Sequence, residues 1–171
     1  MSKLVNVKKA RLEIANLLGQ DKTLLSLLLN DKPSALTDEV VQATKVMGLN
    51  ELVSKNYICF STPLESAMKD ISRNTFLLIL VDNMTFAQSD GVRASFVLYL
   101  STDNAHILMD GNRDRLLEGC DRIADVLQDR KLSSAGQVKI TSMQYVNFST
   151  YRQGYAIYLS ITDLQERQAE I

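Results

Sequence analysis

Two apolar patterns of different period, and the order in which they come, predict an α+β chain. The expected architecture is an antiparallel four- to five-stranded sheet (β-β-α-β-β) packed by a central helix and preceded by an N-terminal helical region. Residues 92–101 alternate Ala94, Phe96, Leu98 and Leu100 against Ser95, Val97, Tyr99 and Ser101, the two-residue repeat of a half-buried strand. Residues 112–130 place Leu116, Cys120, Ile123, Ala124 and Leu127 along one stripe at helical spacing. Residues 1–55 carry helical spacing with little strand signal, so they form the N-terminal helical region, and 56–171 the α+β core, of one domain overall.

In chain order, Leu4, Val7, Ile14, Leu17 and Leu18 make an amphipathic helix that Gly19 is expected to stop. Asp21 then precedes Leu24, Leu25, Leu27, Leu28 and Leu29, a run too apolar to stand free and therefore expected inside, ended by Pro33. Thr37 with Asp38 and Glu39 starts a capped helix through Met47 that Gly48 closes. Tyr57 to Phe60 is a short strand, Pro63 blocks its extension, and 64–73 fits either state.

Phe76 to Val81 is an apolar run of strand length that pairs with 92–101 as a hairpin, with Asn83 to Gly91 as a long polar loop at its tip. Asp110 or Asn112 opens the central helix, expected to run about five turns. Gln137 to Phe148 and Gly154 to Thr162 are two further strands, the last with Tyr155, Ile157, Leu159 and Ile161 on one face. The polar tail 164–171 is expected to fray or dock on a partner.

Composition narrows the functions. With 46% apolar and 23% charged residues the chain can build a core, and a formal charge of −1 supplies no field to draw in a polyanion. Nucleic-acid binding therefore rests on Tyr145, Tyr151, Tyr155 and Tyr158 near Phe148, with only Lys139 and Arg152 close by, and sheet packing or subunit contact is the favoured reading of these rings. No apolar run reaches the roughly 20 residues of a membrane-spanning helix, and the lysines and Arg11 near the start do not resemble a secretion signal. The two cysteines, Cys59 and Cys120, sit in apolar patterns without a CxxC, as core thiols of a protein made in a cytoplasm.

Catalytic chemistry finds little to work with. His106, the sole histidine, lacks neighbours that would make a triad or a metal cluster. Asp110, Asp114, Glu118, Asp121 and Asp125 suggest a carboxylate cluster, and 110, 114, 118 and 121 fall near one helical face, but Arg113, Arg115 and Arg122 are interleaved, the pattern of a solvated or subunit-facing charged stripe. No glycine-rich phosphate cradle and no GxSxG elbow is present. The expectation is a protein without catalytic, cofactor or metal residues.

The segments "SFVLYLSTDN", "GNRDRLLEGCDRIADVLQDRKL" and "GQVKITSMQYVNFSTYRQGYAIYLSIT", spanning about residues 57–163, resemble the tail terminator and neck proteins of long-tailed bacteriophages. That resemblance implies a virion protein of the neck or tail, made in the host cytoplasm. It implies a ring homo-oligomer, usually a hexamer, that stops tail-tube polymerisation and joins tail to head. Its partners would be its own copies, the tail tube protein, a head-completion or connector protein and, in a contractile tail, the sheath, with no specific nucleic acid and no membrane. The long helical region 1–55 departs from the smaller members, which leaves terminator and neighbouring connector both open. Under this reading the subunit or tube contacts are expected at Asn83, Thr85, Phe86, Gln88 and Asp90 of the loop, Arg113, Arg115 and Arg122 of the helix, and Tyr151 and Arg152 near the last turn. A non-catalytic module that binds small molecules or peptides is the alternative of a different class.

Overall fold

The structure is a computed structural model that describes residues 4–61, 75–86, 92–133 and 135–164. Four helices come first, α1 (Leu4–Gln20), α2 (Lys22–Leu29), α3 (Asp38–Ala43) and α4 (Leu49–Ser54). They are followed by strands β1 (Ile58–Cys59), β2 (Phe76–Phe86), β3 (Val92–Asp103), β4 (Leu108–Met109) and β5 (Arg113–Asp114). Helix α5 (Arg115–Leu127) and strands β6 (Gln137–Ser149) and β7 (Arg152–Leu164) are the last of the described elements. The chain is thus mixed α+β, with a helical N-terminus and a five-stranded, mostly antiparallel sheet of order β1-β2-β3-β7-β6.

One face of that sheet carries the main core. Leu77 and Ile79 of β2, Phe96, Leu98 and Leu100 of β3, and Ile157, Leu159 and Ile161 of β7 point the same way and are buried against Val7, Ile14 and Leu18 of α1, Leu25 and Leu28 of α2, and Leu116, Cys120, Ile123 and Leu127 of α5. The period-two strands and the 3.6-period helices each spend their apolar side on the same interior. The leucine run of α2 is buried as its composition requires, and residues of the N-terminal helices and of the sheet share one cluster. The opposite face of the sheet holds a smaller cluster of Cys59, Phe76 and Leu78 with Leu80 and Tyr99.

Several boundaries differ from expectation, each for a local reason. Gly19 does not stop α1, which runs through Gln20; a Cβ there would lie 2.9 Å from Leu52, so the glycine admits α4 rather than ending a helix. The helix expected from Thr37 to Met47 ends at Ala43, and Thr37 makes no side-chain cap bond. Strand β2 continues past Val81 to Phe86, with a bulge between Val81 and Asn83 that lets Met84, Thr85 and Phe86 pair with Ala94, Arg93 and Val92. Asn83, Thr85 and Phe86 are therefore strand residues, not loop.

Helix α5 has 13 residues and starts at Arg115, because Gly111 and Asn112 hold φ of 75° and 60° and cannot continue a right-handed helix. Asp114 caps it, accepting from the amides of Leu116 and Leu117 at 2.8 and 3.1 Å. The short pair β4–β5 and the parallel contact of β1 with β2 were not expected. The expectations for Pro63, for 64–73, for 87–91 and for the tail beyond Leu164 fall outside the described residues. Among the described residues no helix is long and apolar enough to cross a membrane.

Candidate functional site

Most of the charged residues singled out by sequence are tied to partners within the chain. Arg113 donates from Nε and Nη2 to the Glu118 carboxylate at 2.6 and 2.8 Å, which holds that carboxyl below its usual range although partial burial pushes the other way. Arg122 donates from Nε to both oxygens of Asp21 at 2.9 and 3.0 Å, and from Nη1 to Asp125 at 3.3 Å. Burial pushes the Asp21 carboxyl up, but the Arg122 guanidinium and the amides of Leu24 and Thr23 outweigh it and hold it low. Asp21 also caps α2 through the Leu24 amide at 2.8 Å, so one carboxylate ties the start of α2 to the flank of α5.

Arg115 is not on the surface at all; it is 1% exposed. Its Nε donates to the carbonyl of His106 at 2.8 Å, Nη1 to those of Leu27 and Asn30 at 2.7 Å each, and Nη2 to that of Lys32 at 2.8 Å. The carbonyls of Leu27, Asn30 and Lys32 belong to the end of α2 and the loop after it, where the helix dipole favours a cation, and that of His106 ties this end to the turn after β3. Burial pulls the guanidinium below its ordinary range, opposed by the nearby Asp31.

Arg152 is likewise internal at 5% exposed, with its guanidinium carbon 4.9 Å from the centre of the Phe76 ring and Nη1 3.5 Å from Ser101 Oγ. The Asp31 carboxyl is raised by burial in spite of His106, Arg115 and Arg152 around it. Arg115 and Arg152 thus hold the fold together at the end of the sheet, and a direct contact from either guanidinium to a neighbour does not fit this arrangement.

The remaining sites divide. Asn83 and Thr85 are exposed on β2, and Phe86 ends that strand; Gln88 and Asp90 lie outside the described residues. Tyr151 is 75% exposed in the turn between β6 and β7, where its carbonyl accepts from the Asn104 amide at 2.9 Å. Both cysteines are free and buried, and burial with Asp114 and Asp121 nearby pushes the Cys120 thiol up to about 12, which leaves it unreactive.

Sequence reasoning assigned Tyr145 and Tyr151 to sheet packing or subunit contact but did not single out Leu108, Leu117 or Met143 as exposed. The large apolar side chains that stay exposed include Leu108, Leu117, Met143, Tyr145 and Tyr151. Tyr151 lies in the β6–β7 turn beside Asn104, Met143 and Tyr145 lie further along β6 opposite Ile157 and Tyr155, and Leu108 and Leu117 belong to β4 and α5. On β6, Tyr145 stacks edge-on against Tyr155 with ring centres 5.9 Å apart, and its hydroxyl donates to the Gln153 side chain. On the other face, Phe148 stacks edge-on against Tyr99 at 5.7 Å across Gly154, where a Cβ would lie 2.1 Å from the Leu100 carbonyl oxygen. The signal for this hairpin surface lay in the uncharged run from Ile140 to Tyr151. No known protein-family model matches the chain, and a search of curated proteins gives no match.

Proposed function

We propose that this chain is a structural protein of a bacteriophage neck, a tail terminator that forms a ring at the head-proximal end of the tail tube, stops tube growth and joins tail to head. The observation that carries this reading is the exposure of Met143, Tyr145 and Tyr151 along one hairpin, β6–β7. Large apolar side chains left exposed together on one hairpin suit contact with another protein. The pairing of Arg113 with Glu118 and of Arg122 with Asp21, and the burial of Arg115, commit these charges within the chain and leave the hairpin's uncharged side chains as the contact surface of this reading. A β-β-α-β-β order for the sheet and its helix belongs to the same reading, as do a hexameric ring, tube and head-completion proteins as partners, and residence in the virion.

A head-tail connector of the same neck is the second reading. It differs in partner, not in chemistry, and Leu12 and Val46, exposed on the helical side, offer it a second contact face. The test is to add the purified chain to polymerising tail tube protein and to measure tube lengths and ends by negative-stain electron microscopy. A terminator yields tubes of halted length with a ring at one end. Unchanged length distributions with bare ends sink the terminator reading.

A further inference from the structure

A ring of more than two copies needs two different surfaces on each copy that fit one another, because a surface that pairs with itself closes as a two-fold dimer. The β6 edge of the sheet supplies no such pair. At its start the edge is closed, since Val138 donates to the carbonyl of Arg130 at 2.8 Å and accepts from the amide of Asp129 at 3.0 Å, while Gln128 Oε1 accepts from the amide of Ile140 at 3.0 Å. Beyond Ile140, an edge laid antiparallel on its own copy ends at the dimer.

Two helix surfaces do make a pair. On α1, Leu4, Lys8 and Leu12 form an exposed row at four-residue spacing with Lys9 beside it, and Leu12 is 45% exposed. On α5, Leu117, Asp121 and Asp125 form an exposed row of the same spacing, with Leu117 52% exposed. Among the described residues Lys8, Lys9 and Asp121 enter no ion pair, and Asp125 meets Arg122 at 3.3 Å. Each row thus combines leucine open to water with charge, and the charges are opposite in sign.

The rows also face opposite edges of the sheet, whose outer strands are β1 and β6. Lys8 shares a flank of α1 with Gly19, where an added Cβ would lie 3.7 Å from Ile58 of β1. Asp121 shares a flank of α5 with Gln128, which is bonded to Ile140 of β6. With Leu12 set against Leu117, an antiparallel approach of the two helices brings Lys8 and Lys9 one turn along to Asp121. A parallel approach with the same leucine contact brings them to Arg113 instead, where like charges repel.

We propose that α1 of one copy docks antiparallel on α5 of the next, Leu12 against Leu117 and Lys8 and Lys9 against Asp121 and Asp125, as the repeating contact of a ring. The inference rests on the ring-forming reading above and names the surfaces that close the ring. The occupant is a second copy because one chain presents both halves of the joint, complementary in charge and on opposite sides, as head-to-tail closure requires. Burial of the leucines supplies the attraction, and the charges set orientation and register. The contact leaves the β6–β7 hairpin to a different partner.

The test uses two charge reversals of the full chain, Lys8→Glu with Lys9→Glu on α1 and Asp121→Lys with Asp125→Lys on α5. Light scattering after size exclusion measures assembly over a range of concentration, and circular dichroism with the thermal midpoint establishes that each variant is folded. The expected result is an assembled wild type, loss of the assembled species in each reversal alone, and its return when the two reversed chains are mixed in equal amounts. If folded reversals assemble as the wild type does, this contact is wrong and the ring reading stands on another surface. A mixture that stays dissociated shows that the two rows do not face each other, which also overturns the proposal. An α1 reversal that assembles normally but no longer halts tube growth assigns α1 to the tube protein and sinks it as well. A wild type that stays monomeric at every concentration overturns the proposal, and one that also leaves tube growth unaltered removes the ring reading with it.

Discussion

An arginine carried into an interior brings a charge that water no longer solvates, and it is tolerated only where donors and acceptors match in number and direction. Arg115 meets that demand through the carbonyls of Leu27, Asn30, Lys32 and His106. Arg115→Ala takes the guanidinium donors from these carbonyls, although that of Lys32 still accepts from the Ala35 amide at 3.2 Å, and is expected to lower stability by about 3–5 kcal/mol in urea unfolding. Arg115→Lys should recover only part of this, because a single ammonium cannot reproduce the planar fork. A loss below about 1 kcal/mol for the alanine variant would mean that water replaces the guanidinium. In the sequence this residue read as part of a solvated stripe with Arg113 and Arg122; what makes it internal is the end of α2, which lies 83 to 88 positions away in the chain.

Between elements, the Asp21–Arg122 contact joins the start of α2 to α5. Since the folded carboxyl of Asp21 lies below its ordinary value of 3.8, its contribution is complete above that value and is lost as the pH falls through the lowered one. Asp21→Asn is expected to cost about 1 kcal/mol at neutral pH, a modest figure because Arg122 is 38% exposed, and to flatten the acid limb of a stability-versus-pH curve. An unchanged limb would assign acid sensitivity to other carboxylates.

Element identity was readable where one face of an element is buried: the alternation in β3 and β7 and the stripe of α5 each match the core they enter. Boundaries were less readable. The start of α5 depends on the left-handed backbone at Gly111 and Asn112, and the length of β2 on a bulge that carries Asn83 and Thr85 into the ladder. The exposure of Leu117 and Met143 was the least readable part, because it depends on which elements pack beside them in the fold, which no local pattern encodes.

For the molecule as a whole, the decisive feature is that Ile14, Leu18, Leu25, Leu28 and Leu52 of the helical region share a core with the sheet and α5. A fragment of residues 56–171 would expose the part of that sheet face, and of α5, that the N-terminal helices cover. Such a fragment is expected to lack the cooperative thermal transition and near-UV circular dichroism of the full chain, whereas a fragment with a sharp transition would mean that the sheet and α5 suffice. The closed stretch of β6 beside residues 128–131 adds a geometric limit. An incoming strand that slides along this edge meets a stop near Ile140, so the protein itself bounds how many rungs any joint can gain. Strand addition from outside, by whatever chain, is thereby confined to the stretch of β6 beyond Ile140.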